Sequence, residues 1–350
     1  MMWIGVPKER LIGEGRVGLL PDAVRALSDE GHRVLIESGA GERSGIRDAN
    51  FRAAGAQVTD DVGLLYQRAE LIVKVKEPLR SELPYLSSRH ILFGFMHLAA
   101  NAQLVDDLAT IGCMAIAYEG VQTADGSWPI LAPMSKIAGR IAVQLGSVFL
   151  FQQYGGKGLL LGAEFGSNGG RVVVLGCGVA GRAAIRAAVP LGVHVTAVDK
   201  NPDVLAALHD EFGEAIELCI SNNETVKSAV LKADLLIGAV LVPGAKAPHL
   251  VRSEHVRQME PGSVIVDIAI DQGGCVETSR PTTYNEPTFV EHNVVHCCVK
   301  NLPAAVSRTA SQQLTAASFE YVQRIATLGR NALSDDPLLA AAVCVRGNQQ

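Results

Sequence analysis

The sequence has few of the features that mark nucleic-acid-binding, membrane-spanning or secreted proteins. No block of Lys or Arg stands out, and the formal net charge is −5, so we expect no nucleic-acid surface. Gly, Lys or Asp interrupts every apolar stretch before the ~18 residues that a membrane helix needs. The first residues, MMWIGVPKERL, have no apolar run before their charges, so we expect no signal peptide and a cytoplasmic protein.

The spacing of the cysteines also lacks the patterns that build a metal site or a disulfide framework. The seven cysteines form no CxxC pair, and two of them, Cys297 and Cys298, are adjacent. Such spacing suits neither a tetrahedral metal site nor a ladder of disulfides. We therefore interpret the cysteines as reduced, buried thiols.

What the sequence does contain is the pattern of an α/β protein. Aromatic residues make up only 5% of the chain, whereas Gly and Ala are abundant, and small residues let helices lie close to a parallel sheet. Short β-like runs alternate with helical patterns, which indicates βαβ units. The predicted strands are WIGVP, HRVLIES, LIVKVK, HILFGFM, CMAIAYE, RVVVLG, VHVTAVD, ADLLIGAV, SVIVDIAI and VVHCCV.

The 350 residues predict two doubly wound parallel-sheet domains, one of them a Rossmann dinucleotide-binding domain. A long helix is predicted over 135–153, with Ser135 as its N-cap, and a second over roughly 309–333. The first would cross between the domains and the second would cross back. We therefore expect a discontinuous substrate domain, 1–134 with 305–350, an NAD-binding domain, 135–304, and a ligand cleft between them.

A glycine-rich loop is the strongest chemical signal. In RVVVLGCGVAGRAAIRAAV, Gly176, Gly178 and Gly181 form GxGxxG between a strand and a helix, and the next strand ends at Asp199. Such glycines allow a tight turn, close approach of the pyrophosphate and close helix packing, while the helix N-terminus attracts the phosphates. Asp199 would accept from the ribose hydroxyls and repel a 2′-phosphate, which favours NAD over NADP, although Lys200 beside it weakens that preference. The alternative is a glycine turn that binds no ligand.

Four charged residues in the first part of the chain form a chemical set. Lys74 and Lys76 alternate in LIVKVKEP, so we expect them on one face of a strand, where they could hold a carboxylate or carbonyl oxygen. Arg16, in EGRVGLLP, can bind a carboxylate bidentately. His97 follows an apolar strand, and because histidine as a residue type titrates near neutral pH, it can act as general acid or base. Each has a plainer reading: a solvated strand face, an isolated surface arginine or a structural histidine.

A carboxylate in the second part completes the set. In VDIAIDQGG, Asp267 and Asp271 are expected on the same face of a strand, with Asp271 at its end. Asp271 could orient water or stabilise an iminium beside the site of hydride transfer. Its plainer reading is a residue that caps a loop.

Together these segments resemble the alanine dehydrogenases of the alanine dehydrogenase/transhydrogenase family. The resemblance runs from Ile4 to about Thr315. The matching segments are IGVPKE, EGRVGLLP, GHRVLIESGAGERSGI, LIVKVKEP, HLAA, AYEGVQTADGSWPILAPMS, the GxGxxG loop, IGAVLVPGAKAP, VDIAIDQGGCVETSRPTTY and VKNLPAAV.

The resemblance implies reversible oxidative deamination of L-alanine to pyruvate and ammonium, with NAD as hydride acceptor. It implies that Arg16 and Lys76 hold the substrate, that His97 carries the proton and that Asp271 assists water addition. It also implies a homohexamer and the following NAD-contacting residues: Ser135, Gly176, Gly178, Val179, Ala180, Gly181, Asp199, Ser221, Val240, Leu241, Ile268, Asp271, Arg280, Val299 and Asn301. Arg324 and Leu328 stand where some members carry a magnesium-binding Glu and His, so we expect no such metal.

Some positions depart from the family pattern and leave the substrate open. Lys136 stands where Glu is usual, Lys300 where a small residue is usual, and Gly94 and Met96 replace residues before His97. Gly94 could widen the pocket and favour another amino or imino acid. Three alternatives to alanine dehydrogenase therefore stand: an N-carboxyalkyl amino acid synthase, a transhydrogenase-like NAD-binding module and a catalytically inactive NAD sensor.

Overall fold

A computed structural model of the chain describes residues 1–97, 101–162, 169–240, 246–331 and 335–347. Two compact units divide the chain. Unit 1 comprises Met1–Met134 and Ala304–Gln350, and unit 2 comprises Ser135–Pro303. In the described part, each unit contains one seven-stranded, mostly parallel sheet with flanking helices, so the predicted α/β class is confirmed.

The sheet of unit 1 is parallel except at one edge. Its strands are β1 (Trp3–Val6), β2 (Arg33–Glu37), β3 (Gln57–Thr59), β4 (Leu71–Val73), β5 (Ile91–Gly94), β6 (Met114–Ala117) and β14 (Val343–Val345). Their order is β14-β6-β5-β4-β1-β2-β3, and β14 pairs antiparallel with β6.

The sheet of unit 2 repeats this plan. Its strands are β7 (Arg171–Leu175), β8 (His194–Asp199), β9 (Ile216–Ile220), β10 (Leu235–Gly238), β11 (Val264–Asp267), β12 (Thr288–Glu291) and β13 (Val294–Cys297). Their order is β12-β13-β11-β10-β7-β8-β9, and only β12 pairs antiparallel within this described sheet.

Helices connect and cover the strands. They are α1 (Pro21–Asp29), α2 (Asp48–Ala53), α3 (Val62–Arg68), α4 (Ala102–Ile111), α5 (Leu131–Phe149), α6 (Val179–Ala188), α7 (Pro202–Phe212), α8 (Asn223–Lys232), α9 (Ser253–Val256), α10 (Ser307–Leu328) and α11 (Pro337–Ala341). Short apolar side chains fill the space between helices and sheet, such as Val226 and Val230 of α8 against Val173 of β7.

Two helix boundaries differ from those predicted. The helix expected over 135–153 begins one turn earlier, at Leu131, and ends at Phe149. Ser135 is therefore inside α5 and not its N-cap, because the apolar positions that pack continue upstream of the serine. The helix expected over 309–333 spans Ser307–Leu328 and ends before Gly329, which has φ of +60°.

The cysteines match the prediction of buried thiols at five of seven positions. All seven are free, and five are buried. Cys219 is half-buried and Cys344 is exposed. Burial raises the pKa of Cys297 to about 11 and that of Cys298 to about 12, so both thiols stay protonated at neutral pH.

Candidate functional site

The glycine loop of unit 2 lies where the strand order of its sheet reverses. From β7 the chain proceeds to β8 and β9 on one side, and β10 lies on the other side of β7. Gly176 follows β7 with φ of +84°, and a Cβ there would lie 2.8 Å from the carbonyl oxygen of Ala239, which follows β10. Only glycine fits this turn, and such switch points are where open α/β sheets bind ligands.

The other glycines of the loop serve two different needs. Gly178 is the N-cap of α6, and a Cβ there would meet no atom within 4 Å, so the space above it is open. Gly181 lies in the first turn of α6, where a Cβ would lie 1.9 Å from the carbonyl oxygen of Gly176. Val179 and Ala180 begin the helix, so their amides belong to the N-terminus that would face an anion.

Asp199 ends β8 beside the loop. Its carboxylate accepts from the Cys177 amide at 2.6 Å and from the Asn201 amide at 2.9 Å. It therefore ties the glycine loop to the next loop. Burial and the charge of Asp199 raise the pKa of the Cys177 thiol to about 12, so this thiol is neutral. Ser221 follows β9, and its amide donates to the Asp199 carbonyl oxygen at 2.8 Å.

Most other cofactor candidates follow the carboxyl ends of neighbouring parallel strands. Val240 follows β10, Ile268 and Asp271 follow β11, and Val299 and Asn301 follow β13. Since these strands are parallel, the residues after them share one edge of the sheet. Ser135 lies on α5, and Leu241 falls outside the described residues.

Arg280 is held by a stack on the antiparallel edge of this sheet. Its guanidinium carbon lies 4.0 Å from the centre of the Phe289 ring. Phe289 stacks on His296 of the paired strand, with ring centres 4.8 Å apart. His296 is fixed in turn, since Nε2 lies 2.8 Å from the Thr278 hydroxyl, and burial lowers its pKa so that the ring is neutral. The stack fixes the direction of the Arg280 side chain.

The two aspartates after β11 do not share a strand face as predicted. The strand ends at Asp267, and Ile268–Gln272 forms a 3-10 turn. Asp267 is buried, and its carboxylate accepts from the Ala269, Cys275 and Val276 amides and from the Ser279 hydroxyl. Asp271 is exposed. Thus Asp267 holds the loop in place, and Asp271 is available to a ligand.

The charged set of unit 1 also follows parallel strands at a switch point. The strand order reverses between β1 and β4, and Arg16 lies in the loop after β1. Lys74 and Lys76 follow β4, and His97 follows β5. The fold therefore brings the loops that carry all four to one edge of this sheet.

Arg16 is buried, at 2% exposure, and paired with an acid that the sequence reasoning did not single out. Its Nε donates to Glu14 Oε1 at 2.8 Å and its Nη2 to Glu14 Oε2 at 2.6 Å. Nη1 lies 3.2 Å from the Met134 sulfur. Glu14 thus engages the Nε–Nη2 edge in a bidentate pair, so a substrate carboxylate would meet the guanidinium from a different edge.

Lys74 and Lys76 do not lie on one strand face, because β4 ends at Val73. Lys74 is buried, with Nζ 2.6 Å from Glu82 Oε1 and 3.8 Å from Glu9 Oε2. Burial alone would lower the pKa of Lys74, but the two carboxylates outweigh it and raise the pKa. Lys76 is half-buried and remains the lysine that can reach a ligand.

His97 is fixed by two glutamates, one on its backbone and one on its ring. Its φ of +46° is rare for a residue with a side chain, and Glu119 stabilises it by accepting from the His97 amide at 2.6 Å and the Met96 amide at 3.1 Å. The ring Nδ1 lies 3.0 Å from Glu77 Oε2. Residues 98–100 of the HLAA segment lie outside the described residues.

Gly94 and Met96 do not shape a wider pocket in the way the sequence suggested. Met96 is 1% exposed and packs in the apolar core with Leu92, Leu104 and Leu108. A Cβ at Gly94 would lie 2.8 Å from the Lys74 carbonyl oxygen, so its missing side chain makes room for the backbone after β4. Both residues act on how the chain packs.

Sequence reasoning missed three acids, Glu14, Glu77 and Glu119, which partner Arg16 and His97. Each lies in a segment already singled out, EGRVGLLP, LIVKVKEP or AYEGVQTADG. A buried or constrained base needs an acid close in space, and that need was the available signal. Among the described residues, no group of three or more His, Cys, Asp or Glu could hold a metal ion.

Comparison with known proteins agrees with this layout. The family model described as "Alanine dehydrogenase/PNT, N-terminal domain" matches residues 5–138. The model described as "Alanine dehydrogenase/PNT, C-terminal domain" matches residues 142–350. The chain belongs to this family. Its resemblance to the family, expected from the sequence, is thereby confirmed.

Relatives within the family cover nearly the whole chain. An alanine dehydrogenase from Mycolicibacterium smegmatis is 47% identical over 97% of this chain and 92% of its own length. A solved L-alanine dehydrogenase matches with a TM-score of 0.95 at 47% identity, covering 99% of this chain and 96% of that one. A transhydrogenase from Sinorhizobium meliloti matches with a TM-score of 0.87 at 25% identity, covering 99% of both chains.

In the described part of the chain, no helix combines the length and apolar character that crossing a bilayer requires.

Proposed function

We propose that this chain is an NAD-dependent alanine dehydrogenase. The reaction is L-alanine + NAD⁺ + H₂O → pyruvate + NH₄⁺ + NADH + H⁺, and it is reversible. The observation that carries the proposal is the presence of Arg16, Lys76, His97 and Asp271 after parallel strands, in a chain whose relatives over nearly its full length are named alanine dehydrogenases.

The loop after β7 fits a dinucleotide. The open space above Gly178 would admit the pyrophosphate, and the amides of Val179 and Ala180 would face it. Asp199 would accept from the ribose, with Ser221 beside it. The remaining residues proposed to contact NAD are Ser135, Gly176, Gly181, Val240, Leu241, Ile268, Asp271, Arg280, Val299 and Asn301. Bound NAD supplies the hydride acceptor, while the protein supplies orientation and charge.

The residues of the charged set have separate roles in the proposed reaction. Arg16 and Lys76 bind the carboxylate and the amino or carbonyl end of the substrate. His97 accepts the proton released as the amino group becomes an iminium and as water adds to it. Asp271, exposed at the end of the 3-10 turn, orients that water and favours the iminium by its negative charge.

Measurement of NADH formation with L-alanine tests the proposal directly. We expect the wild-type chain to reduce NAD with L-alanine and the His97→Ala variant to turn over roughly 10²–10⁴-fold more slowly. NADH oxidation with pyruvate plus ammonium should fall equally. A variant that keeps near wild-type rates across pH 8–10 would exclude His97 as the acid/base.

The same assay separates the alternatives. Pyruvate with ornithine or lysine in place of ammonium tests an N-carboxyalkyl amino acid synthase. Hydride exchange between NADH and an oxidised nucleotide analogue, without any amino acid, tests a transhydrogenase module, which the TM-score of 0.87 to a transhydrogenase makes worth measuring. Tight NADH binding without turnover on any amino acid would indicate a sensor.

Assembly and location extend the proposal. We infer a cytoplasmic homohexamer, as the family resemblance implies. Light scattering coupled to gel filtration should give six times the 37.0 kDa chain mass. A monomer at micromolar concentration would contradict this inference without touching the proposed activity.

A further inference from the structure

In the part of the chain that the structure describes, one side chain lies within hydrogen-bonding distance of the His97 ring, the Glu77 carboxylate. Nδ1 lies 3.0 Å from Glu77 Oε2, and the His97 side chain is 41% exposed. An exposed imidazole can rotate freely unless something fixes its ring. The centre of the Phe95 ring lies 5.9 Å from the centre of the imidazole, and a phenyl ring offers Nδ1 no hydrogen bond. Among the described residues, Glu77 is therefore the group that can fix the orientation of the ring.

The partner also decides which ring nitrogen carries the proton. An ionised carboxylate only accepts hydrogen bonds, so Nδ1 must donate and carries the hydrogen. In the neutral imidazole, Nε2 is then the nitrogen with the free lone pair. A general base must present that lone pair to the proton it takes.

The other charged groups around His97 cannot replace Glu77. Both oxygens of Glu119, which follows β6, accept from backbone amides of Met96 and His97. Lys76, beside Glu77 in the chain, is a cation and cannot accept from Nδ1. Glu77 itself stays ionised: burial alone would raise its pKa, but the hydrogen bond and charge of His97 and the charge of Lys76 lower it.

We propose that Glu77 is a positioning residue for the reaction, one that fixes the Nδ1–H tautomer and the orientation of His97 and so directs Nε2 at the substrate. This inference rests on the proposed acid/base role of His97. The arrangement is that of a carboxylate orienting a catalytic histidine, where the carboxylate does not itself take the proton.

Two substitutions at Glu77 separate orientation from charge. Glu77→Gln keeps an oxygen that can accept from Nδ1–H but removes the charge, whereas Glu77→Ala removes both. Asp107→Asn is the matched control, because Asp107 lines the same surface cavity as Glu77 and bonds to Gln103, not to His97. The control tests whether loss of a negative charge nearby is sufficient.

The measurements are steady-state kinetics with L-alanine and NAD, and ¹⁵N NMR of the full-length protein with labelled histidine. We expect Glu77→Ala to lower kcat by about 10–100-fold with little change in KM for NAD, and to mix the His97 tautomers. Glu77→Gln should keep the Nδ1–H tautomer and retain more of kcat than Glu77→Ala. Asp107→Asn should match the wild type in both measurements.

Failure of this inference is distinguishable from failure of the proposed function. An Nδ1–H tautomer and a normal kcat in Glu77→Ala would overturn the role of Glu77, even where His97→Ala is inactive. A normal rate in His97→Ala would instead overturn the acid/base role. The His97 tautomer observed by ¹⁵N NMR would then still show whether Glu77 fixes the ring.

Discussion

Two lysines two positions apart show how burial decides what a charged residue does. Lys74 is 2% exposed and held between Glu82 and Glu9, and Glu82 also accepts from the Tyr66 hydroxyl at 3.0 Å. Lys76 is half-buried just beyond it. The sequence presents them as equivalent, but only Lys76 can serve a ligand, since Lys74 already neutralises buried acids.

Replacing each lysine with methionine should therefore give opposite results. Lys74→Met leaves two buried carboxylates without their cation, which should lower the free energy of unfolding by about 3–5 kcal/mol. Lys76→Met should change stability little but raise KM for alanine or pyruvate. Chemical denaturation and kinetics of both variants check this. Equal loss of stability in the two would show that Lys76 is structural as well.

Gly94 is a second single residue whose role depends on its surroundings in the fold. The sequence suggested a wider pocket there, but the direction of its missing Cβ, toward the Lys74 carbonyl oxygen, relates it to backbone spacing. The residue type could be read from the sequence. The atom it avoids could not, because β4 and β5 meet only in the folded sheet.

At the scale of elements, the dinucleotide loop offers a matched pair of glycines. A Cβ at Gly181 would lie 1.9 Å from the Gly176 carbonyl oxygen, whereas a Cβ at Gly178 would meet nothing within 4 Å. Gly181 therefore allows α6 to pack closely on the strand before it. Gly178 leaves space for a ligand at the N-terminus of α6.

Alanine at each position separates these needs. Gly181→Ala should destabilise the protein, because the backbone must move to admit the methyl group. Gly178→Ala should leave the thermal midpoint nearly unchanged yet raise KM for NAD at least severalfold, since its methyl group lies where the pyrophosphate would approach. Calorimetry and NAD titration measure the two effects. A Gly178→Ala variant with normal affinity for NAD would contradict the proposed placement of the cofactor.

Strand prediction succeeded or failed according to position in the sheet. All ten interior strands were predicted, because strands covered on both faces are continuous apolar runs such as Val172–Leu175 and Leu235–Gly238. The four missed strands, β3, β9, β12 and β14, are the edges of the two described sheets. Edge strands are short or half-exposed, and QVT or TFVE carries no apolar run to detect.

The direction of the edge strands was missed for the same reason. The prediction was of parallel sheets, and each sheet has one antiparallel edge, β12 or β14. β12 bears on the proposed cofactor site because it carries Phe289, on which Arg280 rests. No pattern in the sequence places Phe289 opposite His296, since their pairing depends on the register of β12 with β13.

At the scale of the whole molecule, the preference for NAD over NADP should appear as a difference in thermal stability between the two complexes. A ligand that binds only the folded state stabilises it by an amount set by its concentration relative to Kd, about 2.7 kcal/mol at 100 Kd. NAD should therefore raise the thermal midpoint of unfolding. NADP at the same concentration should raise it less, because the carboxylate of Asp199 would repel the 2′-phosphate.

Thermal unfolding of the full chain with each nucleotide tests this preference. The expected order of midpoints is NAD, then NADP, then no nucleotide. Sodium chloride at the same ionic strength serves as a control for non-specific stabilisation. Equal shifts with NAD and NADP would show that Asp199, whose oxygens already hold the Cys177 and Asn201 amides, does not select the cofactor.

The α/β class, the interior strands and the glycine turn could be predicted without a structure, because each depends on local properties: apolar runs, residue size and the conformations open to glycine. Family membership also followed from the sequence, through long matching segments. Tertiary structure alone decided which lysine is buried, which aspartate caps a loop and which acids hold Arg16 and His97. Those outcomes depend on where strands end and on which neighbours burial brings within hydrogen-bonding distance, and no local pattern encodes either.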